Sequence, residues 1–197
     1  MKVAGKVGGK MAGMSSPGAD VSVRVAWADD APAIARVQLR TWPELYGGLV
    51  PPDAIPSGPE AEEAAAATWA ESLRTPGDAR NRVLVALERN RVTGFAITGP
   101  AVDPDCDPVA DAELRELTID PAERGKGHGS RLLQAAADTM SADRFARAVT
   151  WVPVGDDALR GFLTEAGWAA DGAHRELQLD ESGDVRLKQV RLHTALT

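Results

Sequence analysis

The chain has 197 residues, 44% of them hydrophobic, and a formal net charge of −7. That suits one globular domain with a sizeable core and argues against a broad phosphate-binding surface for nucleic acid. No apolar run approaches the roughly 20 residues of a membrane span, and the single cysteine, Cys106, excludes an internal disulfide; a cytoplasmic protein with no membrane partner is expected.

Residues 1–20 differ from the rest, with Lys2, Lys6, Lys10 and five glycines but almost no acidic side chain. They read as a disordered leader, or as an over-called start with Met11 or Met14 as initiator, followed by one domain over 21–197. Val21–Trp27 alternates as a strand does. Asp29 or Asp30 is placed to cap a helix carrying Ile34, Val37 and Trp42 on one face. Pro43 is expected to end it, and the prolines and glycines of 43–58 predict a long loop. Pro59 opens a second helix that Pro76-Gly77 stops. Arg82–Leu87 and Val92–Thr98 form a hairpin pattern, and Asp111–Ile119 a further strand. The turn Arg124–Gly129 leads into a helix striped with Leu133, Ala136, Ala137 and Met140. Ala146–Val152 is another strand, Asp156 caps a helix ended by Gly167, and strands near 173–179 and 185–193 close the chain. The order β-α-α-β-β-β-α-β-α-β-β mixes hairpins with crossover helices. It predicts an α/β fold with a mixed, mostly antiparallel central sheet flanked by about four helices.

The informative stretch runs from Leu117 to Leu133, where a strand ends, a glycine turn follows and a helix begins at once. Such a turn aims backbone N–H groups at an anion from the positive end of a helix, and glycine lets the backbone come close. Arg124, Lys126 and Arg131 add positive charge. The pattern is not a P-loop, because G-x-x-x-x-G-K-[ST] is absent. Nor is it a dinucleotide fingerprint, because Leu132 stands where the third glycine belongs, which counts against a dehydrogenase.

Arg124, Gly127 and Gly129, followed by Leu132 and Leu133, closely resemble the R/Q-x-x-G-x-G/A motif of the GNAT superfamily of acyl-CoA-dependent N-acetyltransferases. The order of elements over most of 21–193 agrees with that family. The resemblance implies that backbone groups of Leu117, Thr118 and Ile119 pair with the pantetheine arm of acetyl-CoA. It implies that amides of Gly125, Lys126, Gly127, His128, Gly129 and Ser130 hold the pyrophosphate. Trp151–Trp168 is similar to the family's second motif: Asp156 stands at the position of a cofactor-contacting Asn, and Phe162 and Gly167 match. Leu163 replaces the tyrosine that often protonates the departing thiolate, and the chain's one tyrosine is Tyr46.

An acceptor amine must lose a proton, so a carboxylate on the central strand is expected to serve as base. Glu113 is the first candidate, matching a base position in some family members, and Glu116 the second; strict alternation would put them on opposite faces. Tyr46 is the candidate acid, and with Trp42 lies in the region that walls the family's acceptor site. Backbone N–H groups near Leu117–Ile119 are candidate oxyanion donors. Cys106 lies among aspartates in a proline-bounded turn, which disfavours a thiolate, and the histidines show no ligand spacing, so no metal is expected. The sequence thus points to acetyl transfer from acetyl-CoA to a small-molecule or peptide amine by direct attack in a ternary complex, in a monomer or homodimer. The alternative is an acyl-CoA-binding sensor module with little turnover.

Overall fold

The computed structural model describes residues 21–180 and 182–197; the leader proposed for 1–20 lies outside the described residues. The chain forms β1 (Val21–Val25), α1 (Ala31–Tyr46), α2 (Gly58–Arg74), β2 (Arg82–Glu88), β3 (Arg91–Pro100), β4 (Asp111–Ile119), α3 (His128–Ala142), β5 (Arg147–Pro153), α4 (Asp157–Glu165), β6 (Ala169–Gln178) and β7 (Arg186–Ala195). The seven strands make one sheet in the order β1-β2-β3-β4-β5-β7-β6. Every neighbouring pair is antiparallel except β4 and β5, which the crossover helix α3 makes parallel. Among the described residues, no helix is long and apolar enough to cross a membrane.

The sheet separates two cores. On one face Leu132, Leu133, Ala136 and Met140 of α3 and Leu163 of α4 pack onto Ala96, Ala112 and Leu114. On the other, Ile34 and Val37 of α1, with Trp69 and Leu73 of α2, cover Val85, Leu87 and Phe95. This burial is the main driving force for the layered arrangement. The β2–β3 turn is tight because Arg89 and Asn90 both take positive φ, 48° and 64°, as a two-residue hairpin with the strands' twist requires.

Two local expectations need correction. Helix α1 does not end at Pro43 but continues to Tyr46. A proline forfeits one helical hydrogen bond, and here the loss falls in the last turn, where Trp42 and Tyr46 meet edge to face at 6.2 Å. The helix is not capped by the side chain of Asp30, which instead accepts from Trp27 N at 2.7 Å and pairs with Arg24.

Candidate active site

The site begins where β4 and β5 part. They pair only from Asp111–Arg147 to Glu113–Val149. At the vertex, the buried Thr150 hydroxyl donates to the carbonyl of Leu114 at 2.7 Å. Beyond it β4 keeps β3 on one edge, while its other edge has no strand beside it from Arg115 to Ile119. Unpaired strand edges are templates for an extended ligand. A cleft of about 1210 Å³ runs along this edge, lined by Leu114–Ile119, the glycine turn, α1 and the β6–β7 hairpin.

The glycine turn closes one end of the cleft. Gly125 and Gly127 adopt φ of +75° and +79°, the left-handed region in which an L side chain is strained. Gly127 caps α3, and its carbonyl accepts from Arg131 N. The N–H groups of residues 125–130 find no acceptor among the described residues. This donor-rich helix start fits a pyrophosphate. The cations expected to help are partly occupied: Arg124 pairs with Glu44 at 2.6 Å, and Lys126 with Glu123 at 2.7 Å. The His128 ring is buried with both nitrogens unpartnered, and its Nε2 lies 3.5 Å from Glu88. Ser130 is exposed on the cleft wall. Asp156 also lines the cleft, but its carboxylate accepts from Leu159 N at 2.9 Å and so caps α4.

The two carboxylates of β4 are separated by a bulge. Between Ile97 opposite Glu116 and Thr98 opposite Leu114, the register slips and leaves Arg115 as an extra residue. The expectation that Glu113 and Glu116 lie on opposite faces is therefore corrected, because the inserted residue restores their parity. They nevertheless reach different surroundings. Glu116 lines the cleft and accepts from the Thr118 hydroxyl at 3.1 Å. Burial pushes its carboxyl up, with that hydrogen bond opposing. Glu113 is not among the cleft-lining residues. It is buried with Oε2 unpartnered and Arg115 Nε 3.7 Å away. Burial raises its carboxyl too, while the Arg115 charge opposes. Tyr46 reaches the cleft from α1, and burial, then the charge of Glu116, pushes its phenol up. Leu163 is buried in the core beneath the cleft.

The profile of the Acetyltransferase (GNAT) family matches residues 39–168, well over half of the chain. The chain belongs to the GNAT acetyltransferase family. Comparison with curated proteins gives no significant match. Among solved structures, an N-acetyltransferase from Staphylococcus aureus Mu50 superposes with a TM-score of 0.66 at 18% identity, covering 90% of this chain and 99% of that one. The yncA protein of Salmonella typhimurium, solved with its cofactor acetyl-CoA, gives 0.64 at 20% identity over 90% and 95%. The paia N-acetyltransferase of Thermoplasma acidophilum, in complex with coenzyme A, gives 0.63 at 16% over 89% and 99%. At these identities the structures establish the GNAT fold, including the mixed sheet.

Three cleft-lining residues have no counterpart in the sequence reading. Thr150 ties the fork vertex, and Arg175 and Gln189 line the cleft from β6 and β7. Strand alternation alone offered a signal for Thr150; the crossed β7-β6 order hid the other two.

Proposed function

We propose that this GNAT protein transfers an acetyl group from acetyl-CoA to a primary amine by direct attack in a ternary complex. The observation that carries the reading is the open edge of β4 leading into the donor-rich start of α3. In this reading alternate backbone groups of Leu117–Ile119 hold the pantetheine, and the amides of Gly125–Ser130 the pyrophosphate. The acetyl thioester supplies the electrophilic carbon at the fork. The amine enters from the α1 side, where Trp42, Tyr46 and Glu116 meet.

An alkylamine titrating near 10.4 is only about one part in 2,500 neutral at pH 7. In this reading Glu116, rather than Glu113, accepts the amine proton, directly or through a water, because its carboxylate borders the cleft. Its raised pKa brings it nearer the operating pH of an efficient base. The ammonium first releases one proton to solvent; the neutral amine nitrogen then bonds to the thioester carbon, sheds its second proton to Glu116, and the carbon–sulfur bond breaks. The Tyr46 hydroxyl supplies the sulfur's proton, a role open to it because its phenol is held protonated at neutral pH. The proton on Glu116 then restores the phenol, so the pair ends as it began. N–H groups along β4 stabilise the oxyanion.

The test is Glu116→Gln. It should lower kcat at pH 7 by about 10²–10⁴-fold, with partial rescue as pH rises and free amine becomes abundant, while Glu113→Gln retains most of its activity. Wild-type kcat in Glu116→Gln, with the loss appearing in Glu113→Gln, would return the role to Glu113. An acyl-CoA-binding module without catalysis would release no CoA with any amine.

A further inference from the structure

The cleft wall holds a guanidinium, that of Arg175, with one long ion pair and no hydrogen-bonded anion among the described residues. Arg175 starts on β6, and its guanidinium carbon lies 4.3 Å from the centre of the Trp151 ring on β5, so its side chain lies across β7. Gln189 of β7 fixes it midway, accepting from Nε at 2.8 Å. Among the described residues its two terminal nitrogens make no hydrogen bond. The nearest paired carboxylate, Asp103, is 3.9 Å away and already accepts from Trp151 Nε1 at 2.8 Å.

Other arginines nearby differ. Arg147 binds Asp111 at 2.7 Å, and Arg191 binds Asp105 at 2.6 Å and Asp171 at 2.8 Å. Burial lowers the pKa of Arg175, and the charges of Glu113 and Asp103 only partly oppose this. A planar fork of free N–H donors, stacked on an aromatic ring inside a cleft, is built for a carboxylate.

Position narrows the ligand further. Trp151 follows Thr150, the vertex of the fork, and the Arg175 guanidinium stacked on its ring lines the same cleft as Glu116. An amine at Glu116 and an anion at Arg175 would thus occupy one cleft. Apolar side chains also line this cleft, Trp42, Tyr46, Leu177 and Leu187 among them. An adjoining cavity of about 250 Å³ is lined by Val50, Ile55 and Pro56.

We infer that Arg175 anchors the acceptor's carboxylate, and that the acceptor is a free amino acid with an apolar side chain. This rests on the acyl-transfer reading. The zwitterion fits both ends, with its ammonium toward Glu116 and its carboxylate toward Arg175. Gln189 acts as a positioning residue by holding the guanidinium across the hairpin.

The experiment measures CoA release from acetyl-CoA with matched acceptors: L-leucine against 3-methylbutylamine, and L-phenylalanine against 2-phenylethylamine. Each pair is run on the wild type and on Arg175→Gln, with acetyl-CoA affinity measured for both proteins. The ratio of kcat/KM within a pair, compared between proteins, cancels the differing basicities of the amines. The expected result is a preference for the amino acid in the wild type that falls by about 10- to 100-fold in Arg175→Gln, as loss of a charge-assisted pair predicts. An unchanged ratio, or wild-type turnover confined to the decarboxylated amines, would overturn this inference alone. A protein that binds acetyl-CoA yet releases CoA with no amine would overturn the acyl-transfer reading with it.

Discussion

Replacing Gly127 by valine tests the cofactor end of the site, and the structure sets the size of the effect. The residue sits at φ +79°, where an L side chain costs about 1–2 kcal/mol. Its new Cβ would lie 3.1 Å from Arg131 Nη1, the flexible end of a side chain that donates to the Lys126 carbonyl. Losing that exposed bond adds about 0.5–1 kcal/mol. The sum, about 1.5–3 kcal/mol, should lower Tm by about 3–12 °C for a domain of this size and leave it folded at 25 °C. Affinity for CoA should fall further than strain alone explains. A chain driven out of the left-handed conformation withdraws at least one N–H from the pyrophosphate, which is worth about 10- to 100-fold in Kd. Gly172 provides the control. It lies in β6 at φ +87°, and a Cβ added there would meet nothing within 4 Å, so Gly172→Ala should cost similar strain and leave CoA affinity alone. Calorimetric titration of the folded proteins with CoA decides the matter. Unchanged affinity in Gly127→Val would refute the placement of the pyrophosphate.

Two further predictions concern titratable groups. Tyr46→Phe keeps the edge-to-face contact with Trp42 and removes only the hydroxyl. It should lower kcat by about 10- to 100-fold with little change in acetyl-CoA KM; an unaltered kcat and pH profile would remove Tyr46 from the chemistry. Glu113, with a buried, unpartnered oxygen and a raised pKa, makes folding less favourable as pH rises. Between its unfolded pKa and the higher folded one, the native state holds the extra proton, so stability falls with pH. The Tm of Glu113→Gln should therefore gain on the wild type between pH 4 and pH 7, and a gap that narrows instead would contradict the assignment.

The sequence carried the order of elements well, because the local patterns are strong. Leu133, Ala136 and Met140 of the stripe expected for α3 are buried in the core, joined by Leu132 in place of the half-buried Ala137, and Asp120 and Pro121 end β4 where expected. What escaped was non-local. The slip at Arg115 comes from pairing with β3, and without it the parity of Glu113 and Glu116 cannot be read. The neutralising partner of Arg124 is Glu44, 80 positions away. The start of β6 escaped because Gly172, at φ +87°, interrupts its pairing between Ala170 and His174. Pro43 misled because a proline rule for helix interiors was applied to a last turn that side-chain packing sustains.

Acetyl transfer by direct attack is tested most directly by two-substrate initial rates of CoA release, with acetyl-CoA and L-leucine both varied. The account predicts amine-dependent release and intersecting double-reciprocal lines, because both substrates must occupy the fork before the carbon–sulfur bond breaks. Parallel lines, the mark of an acetylated enzyme intermediate, would contradict it.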